Sequence, residues 1–218
     1  MGTASTVLIM GPPGAGKGTQ AAHLVNTYAL RHVATGDLLR AAVAAGSELG
    51  MLAQGYMESG QLVPDDVTIG LLRELVRSLA PDEGVLLDGF PRTVAQAEAL
   101  AHMLDELGRS VDVALDIRVP DSVLVERLSG RWICRSCGTP FNVNSKPPRM
   151  PGKCDACGGE LYQRADDTAT AVMQRLGVYA QQTAPVSQWY ATQGVLATID
   201  GNQSPESVQA ALDVVMQG

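Results

Sequence analysis

A chain of 218 residues, 45% hydrophobic and 18% charged, has apolar material for one sizeable core and too much of it for a disordered chain. Its net charge of −7 argues against non-specific binding to nucleic acid or an anionic membrane, and no apolar run approaches bilayer length. The first ten residues carry neither a basic leader nor a long apolar stretch, so a secretory signal is not expected and a cytoplasmic location is. Residues 1–6 do fit the short N-myristoylation pattern, in competition with a buried strand expected from Thr6.

In chain order, an apolar strand at residues 6–10 leads through a glycine-rich loop to a helix at 19–28. A helix is expected over 65–79, where Leu71, Leu72, Leu75 and Leu79 fall at helical spacing, followed by a strand at 84–87. A helix at 93–107, a strand at 113–117 and a helix at 121–130 come next. Beyond residue 163 the pattern gives a helix over 168–183, a strand over 195–199 and a last helix opened by Ser204-Pro205. Buried strands alternating with helices predict an α/β fold, a parallel sheet covered on both faces in three αβα layers. Residues 130–163 break the rhythm with four prolines and all four cysteines, which marks a small inserted module.

The loop reads Gly11-Pro12-Pro13-Gly14-Ala15-Gly16-Lys17-Gly18-Thr19. Glycines let backbone N–H groups wrap a phosphate, the following helix N-terminus favours an anion, and a lysine and a hydroxyl can reach the β- and γ-phosphates and Mg²⁺. Strand, loop and helix in this order make it a P-loop for a nucleoside triphosphate. Gly18 stands between Lys17 and Thr19, where the general pattern puts the hydroxyl directly after the lysine. That departure points to small-molecule nucleotide kinases, and the guanine-reading Asn-Lys-x-Asp motif is missing from the chain. Asp88 ends an apolar strand and is placed to hold the water shell of Mg²⁺; alternatively, it caps a turn.

The basic residues are thirteen arginines and three lysines. Such a bias can follow from a GC-rich genome, or from a need for bidentate phosphate contacts. Three further segments favour the second reading: Thr35-Gly36-Asp37-Leu38-Leu39-Arg40, Asp88-Gly89-Phe90-Pro91-Arg92-Thr93 and Glu126-Arg127-Leu128-Ser129-Gly130-Arg131. With the glycine loop, these resemble the adenylate kinase family, in its long, zinc-lidded bacterial form, from about residue 6 to residue 201.

That resemblance implies reversible transfer of the γ-phosphoryl of ATP to AMP, giving two ADP. It implies Lys17, Arg92, Arg127, Arg164 and Arg175 as catalytic cations. The ATP side would use Gly14, Ala15, Gly16, Lys17, Gly18, Thr19, Arg127 and Arg131, with Phe141 in the lid and Gln203 near the adenine. The AMP side would use Thr35, Gly36, Arg40, Gln61, Leu62, Val63, Gly89, Phe90, Arg92, Gln96, Arg164 and Arg175. Thr19 and Asp88 would serve Mg²⁺. Gln96 falls on the first turn of a helix, and its amide suits an adenine edge. Asp166 and Asp167 resemble an acidic pair that fixes lid arginines, or else they cap the helix before Thr168. The organisation implied is a P-loop core over 1–130 and 164–218, an AMP-binding insertion at about 35–64, and a lid over 131–163.

Cys134-x-x-Cys137 and Cys154-x-x-Cys157 lie sixteen residues apart, a spacing that suits a tetrahedral four-thiolate site in a zinc-ribbon-like module. Zn²⁺ is the expected ion, although Fe also takes this ligand set. With four protein ligands the metal would be structural, and disulfides are disfavoured in a cytosolic enzyme. Gly138 and Gly158 follow the knuckles and would ease their turns. Two rivals stay open: a kinase for UMP or CMP, and a nucleotide-binding regulator whose ribbon docks a partner. The expected ligands are ATP, AMP and ADP, with no nucleic acid or membrane and a monomeric chain.

Overall fold

The computed structural model describes residues 5–218, so the first four residues of the myristoylation pattern lie outside the described residues. Five parallel strands form the central sheet: β1 (Thr6–Met10), β2 (Arg31–Ala34), β3 (Val85–Asp88), β4 (Val113–Arg118) and β8 (Leu196–Asp200), in the order β2-β3-β1-β4-β8. Alternation along β1 explains the layers. Leu8 and Met10 face a core shared with α4 (Asp65–Arg77), α5 (Val94–Asp105) and α8 (Ala184–Thr192), built on Leu72, Val76, Leu100, Leu104 and Tyr190. Val7 and Ile9 face the opposite core, where α1 (Lys17–Tyr28), α6 (Asp121–Ser129) and α9 (Pro205–Gln217) bring Leu24, Leu124 and Leu212. The three-layer αβα expectation is met.

Neighbouring strands β1 and β3 send their connections in opposite directions, β1 to β2 at one edge and β3 across to β4 on the other side. The crevice at such a topological switch point opens at the carboxyl ends of the strands. The glycine loop, Asp88 and the segment after β2 all emerge there. Between β2 and α4 the chain runs through α2 (Thr35–Ala44) and α3 (Glu48–Glu58), packed on a satellite core of Leu39, Ala53 and Val63. Ser47 separates them, its Oγ accepting the Gly50 N–H at 3.1 Å.

After α6 comes a three-stranded antiparallel sheet, β5 (Arg131–Cys134), β6 (Pro140–Asn142) and β7 (Leu161–Tyr162), in the order β6-β5-β7. Its core is small: Cys134, Phe141, Cys154 and Leu161, with Trp132 against them. This is the zinc-ribbon-like insertion. A single 3₁₀ turn (Ala165–Asp167) then leads to α7 (Ala169–Val178).

The helix expected over 168–183 is not continuous. It passes at Tyr179–Thr183 into a π-helical turn and then into α8. Pro185 accounts for the break, because its ring has no N–H for the carbonyl of Gln181 and would collide with it in an α-helix. The cap of α7 is Thr168, whose Oγ1 accepts the Ala171 N–H at 3.3 Å. The capping alternative for Asp166 and Asp167 is thereby replaced, and both carboxylates are left for other partners.

Candidate functional site

One cleft of about 710 Å³ runs along the carboxyl edge of the sheet, between the α2–α3 segment and the ribbon. Every residue named above for either nucleotide borders it except Phe90. The Phe90 side chain is 1% exposed and belongs to the sheet core, so its ring anchors the segment rather than facing the cleft.

At the floor, Gly16 ends the loop in the left-handed region (φ 94°) and caps α1 without a side chain. Gly11, also at positive φ, passes so close to β4 that a Cβ would lie 2.4 Å from the Ile117 carbonyl oxygen, so no other residue fits. Lys17 folds back over the loop, its Nζ donating to the carbonyls of Gly11 (2.8 Å) and Pro12 (3.0 Å). Burial, partly countered by Asp88 and reinforced by Arg92, lowers its pKa to about 8. Asp88 stands at the end of β3 with His32 Nε2 3.6 Å away. Burial alone would raise its pKa, but His32, Lys17 and Arg92 together bring it below the usual carboxylate range. Its carboxylate takes no turn N–H among the described bonds, which leaves the capping alternative unsupported.

Above the floor the arginines converge. Burial first, and the Arg175 guanidinium second, lower the pKa of Arg92 to about 10, while its Nε donates to the Gly89 carbonyl at 2.7 Å. Burial and Arg40 lower Arg164 to about 10 as well, and its Nε is buried with no partner. Arg40 is paired with Asp37 at 2.5 Å, and Arg127 donates to the Gly201 carbonyl at 3.1 Å. Asp167 is the hub: its wholly buried carboxylate takes both Nε and Nη2 of Arg131, and Nη1 of Arg175 at 3.1 Å. Asp166 adds an ion pair to Arg175 at 3.0 Å. So many half-desolvated cations facing one cavity form a field that favours an anion.

The other expected contacts are placed less equally. Thr35 Oγ1 donates to the Gly89 carbonyl at 2.8 Å and ties α2 to the segment after β3. Gln203 is exposed at the far end and donates to Asp200 at 3.1 Å. Phe141 is 4% exposed, part of the ribbon's core as well as the cleft wall, with Lys146 Nζ 5.8 Å from its ring centroid. Gln96 is buried, and both ends of its amide are already engaged within the protein.

The four cysteines are free thiols whose sulfurs all lie within 4.8 Å of one another. Sγ–Sγ separations of 3.3 Å (Cys137–Cys157), 3.4 Å (Cys134–Cys157) and 3.6 Å (Cys137–Cys154) are far too long for a disulfide. They approach the edge of roughly 3.8 Å expected for a tetrahedron with Zn–S bonds of about 2.3 Å. The knuckles repeat one geometry. Gly138 and Gly158 sit at φ 73° and 74°, and each donates its N–H to the carbonyl of the first cysteine of its knuckle, at 3.0 and 2.8 Å. The Cys137 N–H holds the Cys134 thiol below its usual range, and the Thr139 hydroxyl holds Cys137 at about 6. The donor set fits Zn²⁺.

Residues 9–195 match the family model described as adenylate kinase. The chain belongs to the adenylate kinase family. It is 53% identical over 204 residues to an adenylate kinase of Syntrophomonas wolfei, covering 94% of this chain and 95% of that one. An adenylate kinase of Carboxydothermus hydrogenoformans is 50% identical over 213 residues (97% and 99%), and one of Methanosarcina acetivorans 48% over 210 residues (96% and 97%).

Three features of this member of the adenylate kinase family escape sequence reasoning. His32 meets Asp88 only because β2 pairs with β3, and the polar four-residue strand carrying it gives no apolar signal. Lys146 borders the cleft from an irregular ribbon loop. Asp65 opens α4 and bonds to Gln96, 31 residues away, a pairing that no local pattern announces. Among the described residues, no helix is long and apolar enough to cross a membrane.

Proposed function

We propose that this chain transfers the γ-phosphoryl group of ATP to AMP, reversibly, giving two ADP, in the cleft just described. One observation carries the reading: a glycine loop with a half-buried lysine and an arginine cluster with an unpartnered guanidinium nitrogen share one cavity. Phosphoryl transfer asks for alignment and charge neutralisation more than for covalent chemistry. The loop amides and Lys17 bind the triphosphate; Arg40 and Arg92 hold the AMP phosphate. Arg127, Arg164 and Arg175 stabilise charge on the group in flight, with Arg131 on the ATP side, and Asp166 and Asp167 keep the guanidinium planes of Arg131 and Arg175 aimed. Thr19 and Asp88 would hold Mg²⁺, which would supply Lewis-acid charge neutralisation when bound with ATP.

The ribbon over 131–163 acts as a lid, and Arg131 and Arg164 stand at its two ends. Its closure carries cations inward and excludes water, so that ATP is not hydrolysed. Zn²⁺ held by Cys134, Cys137, Cys154 and Cys157 keeps a module with so small a core folded. Four reduced thiols accord with a cytoplasmic location. A monomer is the working state, checked by light scattering.

The test is ADP formation from ATP and Mg²⁺ with AMP, CMP, UMP or GMP as acceptor, together with elemental analysis of the purified protein. AMP is expected to be preferred, with one zinc per chain. Preference for a pyrimidine nucleotide would refute the choice of acceptor, and no transfer to any acceptor would refute the reading altogether.

A further inference from the structure

Gln96 stands in the first turn of α5, 2% exposed yet on the cleft wall. Its side-chain amide is gripped at both ends. Oε1 accepts the backbone N–H of Arg92 at 2.7 Å, and Nε2 donates to Asp65 Oδ1 at 2.6 Å. A backbone N–H can only donate and a carboxylate only accepts, so these partners fix which end of the amide is oxygen. Turning the amide over would set N–H against N–H and oxygen against carboxylate. Asp65 is itself held, since its Oδ2 accepts the Thr93 hydroxyl at 2.8 Å. The same hydroxyl oxygen accepts the Gln96 N–H at 3.1 Å and caps α5.

With those bonds made, the amide has one Nε2–H and one Oε1 lone pair left for a ligand, in a fixed order. A 6-aminopurine offers a ring-nitrogen acceptor beside an amino donor. A 6-oxopurine offers the reverse, a ring N–H beside a carbonyl. An amide free to turn could satisfy either edge, whereas a locked one satisfies only one.

We infer that Asp65, which does not border the cleft, is the residue that sets the choice of acceptor base: it locks the Gln96 amide to accept a 6-amino and reject a 6-oxo purine monophosphate. The inference rests on the reading of this end of the cleft as the AMP site. Asp65 is a positioning residue that acts through Gln96. In Asp65→Asn the side chain keeps its shape but can offer an N–H to the turned-over amide, so the lock loses one of its two constraints.

The test compares the unaltered protein, Asp65→Asn and Gln96→Leu, with ATP and Mg²⁺ as donor. AMP and inosine monophosphate, which differ at the ring edge in question, serve as acceptors. The kcat/KM ratio for AMP over inosine monophosphate is expected to fall at least about tenfold in Asp65→Asn, equivalent to about 1.4 kcal/mol. KM should rise for AMP and fall for inosine monophosphate, while KM for ATP stays within about twofold; general damage would not move the two acceptors in opposite directions. If Asp65→Asn does not fold, Asp65→Ser, which leaves Thr93 a hydroxyl partner, poses the same question with the same expected fall. An unchanged ratio in the folded Asp65 variant, with the ratio eroded in Gln96→Leu, overturns the lock. A ratio indifferent to Gln96→Leu overturns base reading by Gln96, and no transfer to AMP by the unaltered protein overturns the reading of the site on which both depend.

Discussion

Asp167→Asn tests how the arginine cluster is held before any nucleotide arrives. The Asp167 carboxylate is 0% exposed, and the guanidinium side chains it pairs, Arg131 and Arg175, are 20% and 18% exposed. Asparagine keeps the volume and one acceptor but removes the charge, leaving two largely desolvated cations without their shared anion. Breaking a buried pair from one side costs about 3–5 kcal/mol; with the residual exposure of both arginines, the lower end applies, about 3 kcal/mol. In a chain of this size each kcal/mol moves the unfolding midpoint by roughly 2–4 °C, so the expected fall is about 6–12 °C in nucleotide-free protein. Scanning calorimetry or circular dichroism measures it. Glu106→Gln is the control: Glu106 pairs with Arg77 at 3.5 Å, both more than half exposed, and such a pair contributes well under about 1 kcal/mol. Equal midpoints for the two variants would refute the claim that Asp167 neutralises the cluster.

Three other outcomes are expected. Because burial depresses Lys17 to about 8, the unfolded chain binds the extra proton between about pH 8 and the ordinary lysine value. Stability from this group therefore rises with pH across that window and is lost as pH falls through about 8. In the free protein the same loss of charge should make kcat/KM for ATP decline above about pH 8, while kcat declines at higher pH because bound phosphates hold the proton; coincident limbs would count against it. Arg92→Ala should raise KM for AMP by about 10- to 100-fold with KM for ATP little changed, whereas Lys17→Ala should lower kcat by at least about 100-fold; steady-state kinetics with similar profiles for both would merge the two sites. Removing metal with a chelator should release one zinc per chain and lower the melting transition while weak transfer persists, followed by a colorimetric metal indicator alongside calorimetry. Complete loss of chemistry in a protein that still melts normally would argue for a metal in the reaction itself.

How legible this was depends on where each signal sits. The interior strands are apolar runs because the sheet is covered on both faces, and the glycine loop is legible because its constraints are local in sequence. Strand β2 is not legible: it lies at the sheet edge, two of its four residues are exposed, and Arg31-His32-Val33-Ala34 has no apolar run. The boundary between α7 and α8 is hidden because apolar spacing continues through the π turn, and Pro185 alone hints at it. Within the site, residue types announce the cations, but their partners come from distant elements. Asp167 reaches Arg131 across the whole ribbon, and Asp65 reaches Gln96 across α4, a strand and two loops. For Gln96 the residue type suggested a free amide, and only the structure reveals that both ends are occupied.

The neck of the ribbon carries a consequence for how such a chain can change. Gln163 donates to the Ser129 carbonyl at 2.8 Å and Asn142 to the Arg127 carbonyl at 2.9 Å, so the polypeptide leaves α6 and comes back to almost the same spot. To the parallel sheet, everything beyond that knot is equivalent to one short turn. The entropy of closing a loop grows only with the logarithm of its length, so lengthening, shortening or exchanging the outer part perturbs the sheet little while the knot holds. The phosphate loop beneath would not register such an exchange.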